Sequence, residues 1–84
     1  MPAASTAKGS RASSTAVVRG ATVNIAAGSS VTPWFKVNGG KAVRGADLVV
    51  GANGGFIWRH PLNAGDRLTV KFNIRGVVSS PVAL

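Results

Sequence analysis

Three cations, Arg67, Lys71 and Arg75, recur at every fourth residue of the segment Arg67-Leu68-Thr69-Val70-Lys71-Phe72-Asn73-Ile74-Arg75. In an extended chain that spacing places all three on one face, with successive members about 13 Å apart. Such a ladder suits contact with an extended anionic surface better than a pocket for a single phosphate. The competing expectation is a solvated face that protects a strand from edge-to-edge pairing. Trp34, next to Phe35 and two residues before Lys36, supplies a second kind of chemistry. Neighbouring strand residues point to opposite faces, so an inward Phe35 leaves Trp34 and Lys36 outside. There the indole is either an apolar anchor in a protein interface, a stacking platform for a sugar or nucleobase, or a cover for one end of the domain. With Lys8 and Arg11 from the N-terminal segment, the candidate partner-binding set is Trp34, Lys36, Arg67, Lys71, Arg75, Lys8 and Arg11.

Catalytic and metal chemistry is poorly supplied. The chain holds one His, two Asp and neither Glu nor Cys, too few ligands for a structural zinc site. His60, Asp47 or Asp66 and a serine can be drawn as a triad, but no Gly-x-Ser-x-Gly elbow accompanies them. Gly51-Ala52-Asn53-Gly54-Gly55 lacks the Lys-Ser/Thr pair that completes a phosphate loop, and reads as a hairpin turn. Asp47 and Asp66 are therefore expected in turns or local ion pairs, and His60, before Pro61, in a structural role at a strand end. The expectation is a non-enzymatic protein without a cofactor or bound metal.

Charge defines the sign of the partner. Ten Lys and Arg against two Asp give a net charge of +8, which attracts nucleic acid, anionic membrane or an acidic protein surface. The cations are dispersed, without the block of five or six that marks a nucleic-acid tail. With 84 residues there is one small domain, whose core is thin and has no disulfide to reinforce it. Small scaffolds without such staples gain stability by associating, so an assembly component, self-associating or seated on a larger particle, is expected.

Residues 1–15 are rich in Ser, Ala and Thr and low in complexity, and predict an extended, mobile arm ahead of a single β-domain over residues 16–84. The arm has no continuous apolar run of a secretory signal, no stretch is long enough to span a bilayer, and its transit-peptide character is weak for want of an amphipathic stripe. Beyond it the punctuation is β. Residues 17–18 and 21–25 predict strands split near Gly20, and residues 31–38 a strand with Pro33 at its edge or start. Asn38-Gly39-Gly40 predicts a tight hairpin, and residues 43–50 an extended stretch interrupted at Gly45 by a bulge or bend. Residues 56–60 and 67–75 follow, with a last strand at Val77-Val78. Six to seven short strands predict an all-β sandwich or small barrel. Phe35, Phe56, Trp58 and Phe72 are expected in its core.

Trp34-Phe35-Lys36-Val37-Asn38-Gly39, Gly55-Phe56-Ile57-Trp58 and Pro61-Leu62-Asn63-Ala64-Gly65-Asp66-Arg67-Leu68-Thr69-Val70 together resemble the hairpin-rich half of bacterial immunoglobulin-like modules. Small, basic, cysteine-free versions of that scaffold resemble phage head-decoration and other virion accessory proteins. The resemblance implies an Ig-like sandwich and a virion structural role, as a decoration or cement subunit docked on a capsid through its arm and basic strand face. The alternatives are a nucleic-acid-binding β-barrel and a carbohydrate-binding or adhesion module that uses Trp34 or Trp58; the expected location is the virion, with the cytoplasm as the alternative.

Overall fold

The computed structural model describes residues 4–12 and 14–84. Nine strands occur among them: β1 (Ala4–Ala12), β2 (Thr15–Val23), β3 (Ser30–Val37), β4 (Val43–Arg44), β5 (Leu48–Val49), β6 (Gly55–Pro61), β7 (Leu68–Ile74), β8 (Val77–Val78) and β9 (Val82–Ala83). They form two antiparallel sheets, one in the order β1-β2-β6 and one with β3 and β7 at its centre. β4 and β5 flank β3, and β8 and β9 flank β7. Each of these two-residue pairs fills one strand position, so the sandwich has seven positions, as the turn spacing predicts.

Alternation builds the core. Leu68, Val70, Phe72 and Ile74 of β7 are buried, while Thr69 and Lys71 between them are exposed. Val31 of β3 and Ala16 and Val18 of β2 complete the apolar layer, with Phe56 and Trp58 of β6. Phe72 reaches across from the larger sheet to the smaller one, meeting Phe56 edge-on at 5.0 Å and Trp58 at 6.2 Å. Edge-on rings align a positive rim with a negative face, which stabilises each pair by roughly 0.5–1.5 kcal/mol beyond the area buried. Phe35 lies at the core's margin, only partly buried.

Three local findings refine the sequence expectations. Gly20 does not split β2; it lies inside it, opposite Phe56, because the Phe56 ring occupies the space a Cβ would need. Pro33 is on an interior strand, but its carbonyl accepts from Gly45 N at 2.8 Å on the flank where the ladder is interrupted between β4 and β5. The ring therefore displaces no ladder hydrogen bond there, and the interruption expected at Gly45 is present as the break between β4 and β5. β9, after Pro81, is a strand the sequence reading did not anticipate.

The N-terminal segment is extended over Ala4–Ala12, but it is a strand of the domain's own sheet. β1 pairs with β2 along its whole length, from Ala4 opposite Val23 to Ala12 opposite Thr15. Polar, small residues suffice for this because the backbone ladder holds the strand, with Ala7 packed against the margin of the core. Residues 1–3 and 13 of the expected arm lie outside the described residues.

Arg75 and Gly76, with φ of 53° and 84°, form a two-residue turn between β7 and β8. Two consecutive positive φ values mark a type I′ turn, which favours Asn and Gly and disfavours a side chain such as Arg at the first position. Arg75→Asn is expected to raise stability by about 0.5–1 kcal/mol, read as an upward shift of the melting temperature. An unchanged or lower melting temperature would show that Arg75 carries a compensating contact.

Candidate functional site

The outer face of the larger sheet gathers the strongest chemistry. Trp34 of β3 is 42% exposed, as its alternation with Phe35 requires. It stands opposite Arg44 of β4 on one side and Lys71 of β7 on the other. Residues opposite one another in a ladder share a face, with Cβ atoms about 5 Å apart. Lys36, two residues along β3 and opposite Thr69, falls on the same face. The indole thus has cations on three sides. Trp34, Lys36, Ala42, Thr69, Lys71 and Pro81 enclose a shallow depression of about 160 Å³.

Asp47 is the acid of this face. Its Oδ1 accepts from Thr32 Oγ1 at 2.9 Å and from Arg44 Nη2 at 3.4 Å. Both partners of the Arg44–Asp47 pair are more than 40% exposed, so the pair contributes little to stability and serves to orient Arg44. Asp66 lies in the turn before β7, where its carboxylate accepts from Asn38 Nδ2 at 3.1 Å. Asn38 Oδ1 in turn accepts from Arg67 N at 2.9 Å, tying the β3–β4 turn to the start of β7. Both acids therefore occupy the local roles expected of them.

The cation ladder does not survive folding as a ladder. β7 runs from Leu68 to Ile74, so Arg67 precedes it and Arg75 belongs to the turn that follows. Of the three, Lys71 alone is on the strand. A run of nine alternating residues reads as one strand, but the type I′ geometry takes Arg75 out of the pleat. Lys8 and Arg11 are on β1, and Lys8 sits opposite Arg19 on the outer face of the smaller sheet. The predicted set is thereby divided: Trp34, Lys36 and Lys71 come together, Arg67 and Arg75 lie beyond opposite ends of β7, and Lys8 and Arg11 belong to the other sheet.

Arg44 is the member the sequence reading missed. Within the expected hairpin, Asn38 and Gly39, with φ of 54° and 72°, form a type I′ turn, closed by Gly40 N donating to Val37 O at 3.0 Å. A regular hairpin from that turn, with Val37 opposite Gly40, would place Val43 opposite Trp34. The observed register instead pairs Trp34 with Arg44 and Phe35 with Val43. One extra residue after the turn reverses which face each β4 side chain occupies, and no residue type in the stretch signals it.

His60 lies parallel to Trp58 at 5.5 Å and 4.4 Å from Phe35, half-buried at the core's edge. Its ring packs with aromatic rings, the structural placement expected of it. Among the described residues no three His, Cys, Asp or Glu side chains cluster as a metal site, and no helix is long and apolar enough to cross a membrane. No family model, curated protein or solved structure matches the chain.

Proposed function

We propose that the protein is a small Ig-like binding module that docks on an acidic protein surface, in its concrete form a decoration subunit on a virion shell. Strands one, two and six share one sheet, and strands three, seven and the final pair share the other. With β4 and β5 counted as one position, the first, second and fifth strands are separated from the third, sixth and seventh as in immunoglobulin-type sandwiches, which supports the Ig-like assignment. The fourth position differs from the constant-type arrangement in lying beside β3. The docking face is the outer surface of the larger sheet. The observation that carries this is the exposed Trp34 flanked by Arg44, Lys71 and Lys36.

A flat sheet with an indole among cations fits a broad acidic patch. The ring supplies burial that salt does not screen, and the cations supply the steering field and register. Because β1 is a strand of the domain, docking in this reading needs no free arm. The same flat indole favours a second reading, a nucleobase stacked on Trp34 with phosphates on Lys36, Arg44 and Lys71.

Carboxylate-coated latex spheres and a thirty-residue oligo-dT discriminate the two in sedimentation and titration experiments at about 0.15 M salt, where the Debye length is about 8 Å. Wild type is expected to adsorb to the spheres and to bind the oligonucleotide only weakly. Trp34→Ala is expected to weaken adsorption by tenfold or more, the effect of losing an anchor that supplies about 2 kcal/mol. Lys36→Glu with Lys71→Glu is expected to do the same while leaving the melting temperature unchanged, since neither side chain enters the core. Tight oligonucleotide binding with a steep salt dependence would replace the protein-docking reading with the nucleic-acid one.

A further inference from the structure

The smaller sheet carries a basic face of its own, on the opposite side of the sandwich from Trp34. Its outer residues form a grid of two rows. Lys8, Arg19 and Ile57 stand side by side across β1, β2 and β6, and Ser10, Val17 and Arg59 form the adjacent row. Lys8, Arg19 and Arg59 are exposed, and Ile57 is 42% exposed among them. A shallow groove of about 620 Å³ is lined by Lys8, Ser10, Arg19 and the small residues around them.

No acid balances these cations. β1, β2 and β6 contain neither Asp nor Glu. Asp47 is engaged on the other sheet, and Asp66 is held by Asn38 in the turn before β7. Lys8 and Arg19 are directly opposite each other, and like charges in that position oppose folding. The fold has no need of the pair, whereas an anionic partner would turn the repulsion into attraction on contact.

We propose that this face is a second docking site for an acidic protein surface, so that one molecule bridges two such surfaces from opposite sides. The proposal rests on the docking role of the Trp34 face and extends it from attachment to cross-linking. The shortest dimension of the Cα framework is 19 Å, so the bridged surfaces would lie about one sandwich thickness apart. With Ile57 in place of an indole, the second face is the weaker of the two. It engages once the first has placed the molecule on a surface.

The test uses the full-length protein and carboxylate-coated latex spheres, with clustering followed by dynamic light scattering and adsorption by sedimentation. Wild type, verified as a monomer by analytical ultracentrifugation, is expected to cluster the spheres at low coverage. Arg19→Glu with Arg59→Glu is expected to adsorb as wild type does and to lose clustering by tenfold or more. Lys41→Glu with Arg75→Glu makes the same change in net charge off the smaller sheet, in the loop before β4 and in the β7–β8 turn, and is expected to cluster as wild type. Clustering retained by the Arg19/Arg59 variant, lost equally by the control, or confined to a dimeric wild type would overturn the bridge. Failure of the Lys36/Lys71 variant to lose adsorption would count instead against the docking role of the Trp34 face.

Discussion

Phe72→Ala is expected to remove a large share of the domain's stability. The side chain is fully buried on β7 and packs against both Phe56 and Trp58 of the smaller sheet, where Phe35 of the larger sheet also meets Trp58 at 5.5 Å. Truncating a buried Phe costs about 3–5 kcal/mol, through lost transfer energy and the cavity that remains. At 0.05–0.15 kcal/mol per residue, a chain of 84 residues has roughly 4–12 kcal/mol in all. The substitution therefore consumes a large share of the total. Urea denaturation is expected to show a midpoint lowered by the equivalent of about 3–5 kcal/mol, whereas Phe72→Leu should lose less. A loss below about 1 kcal/mol for the Ala variant would mean that the two sheets are held together elsewhere.

Gly20→Ala is expected to be nearly as damaging, although it adds one methyl group to a strand. A Cβ at position 20 would fall within the Phe56 ring. That ring is 4% exposed and packed edge-on to Phe72, so it has no free direction in which to yield. Overpacking of this kind costs about 1–3 kcal/mol, and the position of Gly20 beneath the ring places it at the upper end. Phe56→Leu in the same chain should recover part of the loss, because the smaller side chain leaves the methyl group room. A double-mutant cycle over Gly20 and Phe56 measures the coupling, expected at about 1 kcal/mol or more. Strict additivity would show that the strand shifts to accommodate the methyl group and that the ring is not fixed.

The two positions mark the limit of what can be read without the fold. Leu68, Val70, Phe72 and Ile74 reveal the inner face of β7 because period-two alternation is a property of the strand alone. The same rule places Phe35 toward the core and Trp34 outside, and Asn38-Gly39 locates a turn because these residues tolerate positive φ at low cost. Gly20, by contrast, reads as a break. Its reason for being glycine is a ring that arrives from position 56, and a contact so distant along the chain leaves no local mark.

The proposed docking face divides in the same way. Its sign and its central indole were legible from the charge balance and from the order Trp34-Phe35-Lys36. Its membership was not. Lys71 joins it because β7 pairs with β3, and Arg44 because one extra residue after the turn reverses the parity of β4. Arg75 leaves it because a two-residue turn claims that position. The N-terminal segment illustrates the point most fully. Its composition lacks the apolar surface that marks a strand, yet β2 offers a complete ladder of hydrogen-bonding partners and Ala4–Ala12 takes it. Local residue types determined which faces are apolar, where the chain turns and that the surface is basic, since these depend on near neighbours. Strand pairing and register decided which cations stand together, since those depend on segments that meet only in the folded chain.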